Sequence, residues 1–176
     1  LLETVVGLEE DIRVLIMGKH GTQTEYRSDK IGSQIESIVR AIHKPVLIAS
    51  FPFQKPLSFL VAFDGSPTAR KCVERIASSP LLKGLAVHLV YVGNPNIEMQ
   101  NQLSWAKEQL ESQGFNITSN TLDGEVDKAI INYAEQHQID LIVVGAYGHS
   151  KIRQFFIGST TTKVITSTNK PVLLLR

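Results

Sequence analysis

"IDLIVVGAYGHSKIRQFFIGSTTTKVITSTNKPVLLLR", residues 139–176, sets the reading of this chain. A short apolar run leads into a loop punctuated by Gly145, Gly148 and Gly158. Ser159 to about Thr168 then reads as a helix, and "PVLLLR" (171–176) is a second apolar run. Short continuous apolar runs are the mark of strands buried on both faces. The stretch therefore reads as strand, glycine loop, helix, strand.

The same pattern occurs earlier. "IRVLIMGKHG" (12–21) lies over "IDLIVVGAYG" (139–148) at an offset of 127 residues. "IGSQIESIVRAIHKPVLIAS" (31–50) lies over "IGSTTTKVITSTNKPVLLLR" (157–176) at an offset of 126, so the loop of the first copy is one residue longer. A period of this size is that of one small domain. Residues 1–50 thus read as the C-terminal part of one unit, "FPFQKP" (51–56) as a linker, and residues 57–176 as a complete unit. A first strand, two helices and two more strands of the leading copy have no counterpart in residues 1–50.

The complete copy reads as alternating strands and helices. "LSFLVAFD" (57–64) is a buried strand ending in Asp64. Ser66 is placed to cap the following helix, and Pro67 suits its first position. On that helix Ala69, Cys72, Val73, Ile76 and Ala77 share a face. "LAVHLVYVG" (85–93) is a second strand, 98–114 an amphipathic helix closed by Gly114, and "FNITSNTL" (115–122) a third strand. A third helix over 126–138 turns Val126, Ile130, Tyr133 and Ala134 inward. The expectation is an α/β fold: a flavodoxin/Rossmann-like parallel five-stranded sheet with helices on both faces, plus a partial second α/β unit.

Composition narrows the function. Of 176 residues, 43% are apolar and 20% charged, which suits a packed core. With 18 basic and 17 acidic residues the net charge is +1, giving no case for nucleic-acid binding. No apolar run approaches the roughly 18–20 residues of a membrane span, and the first residues lack a signal peptide's basic start and cleavage site. The lone Cys72 has no disulfide partner and fits a reducing, cytoplasmic setting. "NIT" at 116–118 is a glycosylation sequon in spelling only.

In open parallel sheets ligands bind beyond the carboxyl ends of the strands. Asp64 ends the first strand there, and Gly145 ends the fourth. A glycine loop running into a helix N-terminus at Gly158, Ser159 and Thr160 offers free N–H groups to an anion. A carboxylate facing that loop suits ribose hydroxyls, so the set describes a nucleotide. Three glycines are also ordinary turn chemistry, and neither a Walker A loop nor a GxGxxG fingerprint is present. No metal-ligand spacing and no nucleophile–base pair stands out. His149, Lys151 and Arg153 are charged or polar loop residues that could face phosphates; His88 reads as a packing residue, Cys72 as a structural thiol, and Trp105 as half-buried. Asp127 and Asp140 read as helix-start and strand-start acids.

The spacing Gly145-x2-Gly148-x9-Gly158-Ser159, together with "LVAFDGSPTARKCVERI" (60–76) and the closing "KPVLLL", resembles the universal stress protein family. The resemblance covers residues 57–176 in full and 1–50 as a partial unit, a tandem arrangement with an incomplete first member. It implies membership of the ATP-binding subgroup that keeps the glycine motif. By the match, Gly145, Gly148, Gly158, Ser159 and Thr160 would contact phosphates and Asp64 the ribose. The backbone near Tyr91 and Val92 would edge the adenine, Gly124 would lie near base or ribose, and Mg2+ would come with the phosphates. The resemblance also implies pairing of the two closing strands, 45–50 and 171–176, as a pseudo-dimer or between copies in a homo-oligomer. The first copy keeps Gly18, Gly21, Gly32 and Ser33 but spaces its loop by ten residues and lacks the strand carrying an Asp, which argues against a complete site there. Regulatory ATP binding without enzymatic turnover is the reading. A slow ATPase or phosphotransferase on the same site, and a nucleotide-free interaction protein, stay open.

Overall fold

The computed structural model describes residues 2–19, 33–145 and 159–175. Helix α1 spans Leu2–Gly7 and is followed by a 3-10 turn at Glu9–Asp11. Strand β1 is Leu15–Gly18, helix α2 Ser33–Ala41 and strand β2 Val46–Ala49. Then come β3 (Ser58–Ala62), α3 (Pro67–Ser78), β4 (Ala86–Val92) and α4 (Ile97–Glu111). The chain continues through β5 (Ile117–Leu122), α5 (Val126–Gln136), β6 (Leu141–Gly145), α6 (Ser159–Ser167) and β7 (Val172–Leu175).

The repeat seen in the sequence is a repeat of structure. Shifted by 127 residues, β1 falls on the last four residues of β6; shifted by 126, α2 falls on α6 and β2 on β7. The strands form one seven-stranded sheet in the order β1-β2-β7-β6-β3-β4-β5. Neighbours are parallel except β2 and β7, which pair antiparallel with Val46 opposite Leu174 and Ile48 opposite Val172. The two closing strands thus meet inside a single chain, and the five-stranded sheet of the second copy continues into the first.

Within β3–β7 the order is 3-2-1-4-5 when the strands are counted from β3. This is the Rossmann order and not the flavodoxin order 2-1-3-4-5. Right-handed crossovers permit both, so the sequence left them open. The order reverses between β3 and β6, and a crevice opens there above their carboxyl ends.

Each face of the sheet carries its own core. One face packs Leu60, Val90, Ile142 and Leu174 under α5 and α6, and continues across the copies to Ile38, Val39 and Ile42 on α2. The other packs Phe59, Val61, Leu89 and Val143 under Cys72, Val73 and Ile76 of α3 and Ala106 and Leu110 of α4. β3 and β6 contribute to both cores, which explains their unbroken apolar runs. At the amino ends of these strands the Asp140 carboxylate accepts from the Leu57 and Ser58 N–H groups at 2.9 and 3.0 Å, joining the start of β6 to that of β3.

Candidate functional site

After β3 the chain turns away from the sheet at Asp64 and Gly65, the latter with φ +74°. Asp64 is exposed, and its carboxylate accepts the Ser66 N–H at 3.0 Å, which fixes it at the mouth of the crevice. Ser66 caps α3, its hydroxyl accepting the Ala69 N–H at 3.2 Å, and Pro67 follows in the first turn. The start of α3 lies against the end of β6. A Cβ at Gly145 would stand 3.1 Å from Thr68 Cγ2 and 3.2 Å from the Thr68 carbonyl, so the glycine lets helix and strand approach.

These elements enclose a cavity of about 240 Å³. Its walls are apolar, formed by Val90 and Val92 of β4, Ile130 of α5, Val144 of β6 and Val164 of α6. Its polar groups come from Asp64, Ser66, Thr68, Thr160 and Thr161. Three helices begin at this cavity: Thr68 lies in the first turn of α3, Val126 opens α5 and Thr160 lies in the first turn of α6. Helix N-termini carry free N–H groups and partial positive charge. The cavity therefore combines a hydrophobic slot, a carboxylate and an electropositive rim, the donor set a nucleotide needs for base, sugar and phosphates. Among the described lining residues Asp64 is the one carboxylate, and none is histidine or cysteine.

Of the residues expected from the sequence, Asp64, Tyr91, Val92, Gly145 and Thr160 line this cavity. Ser159 opens α6, and its side chain lies outside the described residues, as do Gly148, Gly158, His149, Lys151 and Arg153. Gly124 does not line it: it takes φ +104° in the turn before α5, and Val126, the first residue of that helix, lines the cavity. Val126, expected to face inward, is 43% exposed, because the start of α5 overhangs the crevice rather than the core. Ser66, Thr68, Thr161, Ile130 and Val164 also line it and were not expected. Ser66 and Thr68 carry the readable signal, two hydroxyls in the first turn of a helix that follows the strand-end acid.

Several polar side chains outside the cavity lining pack against or pair with other residues. Cys72 is buried, and desolvation pushes its thiol up to about 12, which makes it unreactive. His88 Nδ1 lies 2.9 Å from the Tyr133 hydroxyl, which also accepts from Asn120 Nδ2 at 2.7 Å; this cluster sits between β4, β5 and α5 and outside the cavity lining. The Arg70 guanidinium lies over the half-buried Trp105 ring at 3.9 Å, a cation–π contact between α3 and α4. Asp127, in the first turn of α5, lies 3.8 Å from Lys163 of α6. Among the described residues no three His, Cys, Asp or Glu side chains cluster to hold a metal ion, and no helix is long and apolar enough to cross a membrane.

Comparison with known proteins points one way. The universal stress protein family matches residues 94–176. Universal stress protein Slr1230 of Synechocystis is 39% identical over 178 residues, spanning 100% of this chain and 62% of the relative. A universal stress protein from Archaeoglobus fulgidus has a similar fold, with a TM-score of 0.75 at 22% identity over 99% of this chain and 64% of that one. A universal stress protein solved in complex with cAMP matches with a TM-score of 0.57 at 22% identity, over 69% of this chain and 98% of that one. This chain thus spans less than two thirds of the length of Slr1230 and of the Archaeoglobus protein.

Proposed function

We propose, on the match of residues 94–176 to the universal stress protein family and the likeness to Slr1230, that this chain is a universal stress protein of regulatory role that binds an adenine nucleotide, ATP first, at the carboxyl ends of β3, β4 and β6. The observation that carries this reading is the meeting of Asp64 with the first turns of α3, α5 and α6 around one apolar-walled cavity. In the proposed arrangement the Asp64 carboxylate accepts from ribose hydroxyls. The base enters between Val90, Val92, Val126 and Ile130, with the backbone of Tyr91 and Val92 along its edge. Phosphates are held at the start of α6, by the N–H groups and hydroxyls of Ser159 and Thr160 and by the glycines Gly145, Gly148 and Gly158. Mg2+ accompanies the phosphates, as a hard cation held mainly by their oxygens. That a relative of this fold is solved with cAMP supports the nucleotide class.

Nucleotide occupancy, not turnover, is the proposed output. The described lining offers one exposed carboxylate and no histidine or cysteine to serve as nucleophile or base, so hydrolysis is slow at most. We place the protein in the cytoplasm, where a lone buried thiol is at home, and propose that it self-associates.

The test begins with protein purified without added nucleotide, then denatured, its supernatant resolved by ion exchange. About one equivalent of ATP per complete copy is expected, by mass action on a tight site, and Asp64→Ala should arrive empty. Steady ATP turnover lost in Asp64→Ala would make the protein an enzyme instead. No released nucleotide and no uptake of Mg-ATP in a titration would overturn the reading in favour of an interaction protein.

A further inference from the structure

Lys19 follows the last residue of β1 and reaches into the second copy. Its Nζ donates to the Thr166 carbonyl at 2.8 Å and to the Thr168 carbonyl at 2.6 Å, 147 and 149 residues away. Thr166 is in the last turn of α6, and Thr168 lies just beyond it. The last carbonyls of a helix have no intrahelical donor and carry partial negative charge, so an ammonium there satisfies both needs. Lys19 is half-buried, and desolvation pulls its ammonium below the ordinary lysine range, as befits a charge held in place and not swung in solvent.

The same helix lines the cavity at its other end, through Thr160, Thr161 and Val164. From Thr160 to Thr166 is roughly 9 Å of helix, and between them Val164 and Ile165 are fully buried in the core shared by both copies. A rod of two turns packed in this way moves as one piece. The connection is one-sided in sequence: the residue corresponding to Lys19 in the second copy is Ala146, which has no side-chain donor.

We infer that Lys19 is a positioning residue for the nucleotide site, holding from its far end the helix α6 whose first turn lines the cavity of the second copy. The inference rests on the nucleotide reading of that cavity. Whatever draws Lys19 away from Thr166 and Thr168 releases the helix whose first turn faces the phosphates. Coupling of this kind is reciprocal, so a nucleotide in the cavity must also tighten the hold on Lys19.

The experiment uses the whole chain and Mg-ATP. Its Kd is measured for the unaltered protein, Lys19→Met and Lys19→Arg. The rate at which an acylating reagent labels the Lys19 amine is followed by mass spectrometry, with and without Mg-ATP. The expected result is binding weakened about five- to tenfold in Lys19→Met, recovered in Lys19→Arg, with Lys19 labelling slowed by Mg-ATP. A purely structural cap would leave that labelling unmoved by nucleotide, and a weaker Kd without protection overturns the inference. Unaltered protein that binds Mg-ATP, beside a Lys19→Met variant that binds it equally well, overturns this inference alone. Unaltered protein that takes up no Mg-ATP overturns the nucleotide reading and this inference with it. Should Lys19→Met fail to fold, the labelling of the unaltered chain decides by itself.

Discussion

Gly145 and His88 show how differently single residues act in this fold. Gly145 is the first glycine of the motif, yet its immediate neighbour is protein: Thr68 fills the space a side chain would take. Its place in the motif thus includes bringing the first turn of α3 against β6, which sets the width of the crevice. His88 lies on β4, away from the cavity lining, with its ring beside the stacked rings of Tyr133 and His137. Desolvation first, and the neighbouring His137 second, hold its pKa below the ordinary histidine value. In the unfolded chain His88 takes up a proton more readily than in the folded one, so stability falls with pH. The loss should begin below about pH 6.5, the ordinary histidine range, and level off once the folded histidine is itself protonated. Thermal unfolding followed from neutral to mildly acid pH should show this fall. His88→Gln, which keeps a polar group near the Tyr133 hydroxyl, should flatten it. An unchanged pH profile in that variant would assign the acid sensitivity elsewhere.

At the scale of elements, α3 carries its start signal in three residues. Ser66 accepts the Ala69 N–H, and Pro67 occupies a position where its missing N–H is no loss. Ser66→Ala should therefore lower stability by about 1 kcal/mol and the melting temperature by about 2–4 °C, measured without nucleotide. The Ser66 N–H that holds Asp64 is retained in that variant, so an unchanged melting temperature would mean that the hydroxyl does not stabilise the helix. Local signals of this kind explain what was legible: β3 to β7 and the helices between them follow from apolar runs, caps and turn glycines, each contained within a few residues. The repeat was equally plain, and α2, β1 and β2 fall where it requires. What was not legible depends on contacts across the sheet. The Rossmann order within β3–β7 obeys the same crossover rule as its rival, so no local pattern separates them. Val126 has the spacing of a core residue, yet at the start of α5 it lines the cavity and is 43% exposed. The bond from Lys19 to α6 spans 147 residues and leaves no mark in either segment.

Among the described residues the two faces of the sheet are covered unequally in the first copy. The core under α2, α5 and α6 runs without a break from the first copy to the second. On the opposite face α3 and α4 cover β3, β4 and β6, while Val14 and Leu47, at the same level in the first copy, are only partly buried. Ile16 corresponds to Val143 in the repeat; Val143 is 0% exposed and Ile16 is 62% exposed. β1 also ends the strand order, so among the described residues its outer backbone groups face no further strand. An open edge beside an apolar face favours pairing with another strand. The closing strands pair within the chain, the pseudo-dimer form of the expectation; of the two end strands of the described sheet, β1 and β5, we propose β1, beside the exposed Ile16, for self-association. Sedimentation velocity over a range of concentrations should show a mass that rises with concentration. Ile16→Lys should shift the protein toward monomer. Burial of an isoleucine is worth roughly 1.5–3 kcal/mol, so each copy's change should weaken association by about tenfold or more. The cavity of the second copy lies on the far side of β6 from this edge, and Ile16→Lys should therefore leave Mg-ATP binding intact. A concentration-independent monomer before any substitution would remove β1 as an association edge. Loss of nucleotide binding together with association would instead mean that the cavity depends on a second copy, and that the two ends of the sheet act as one.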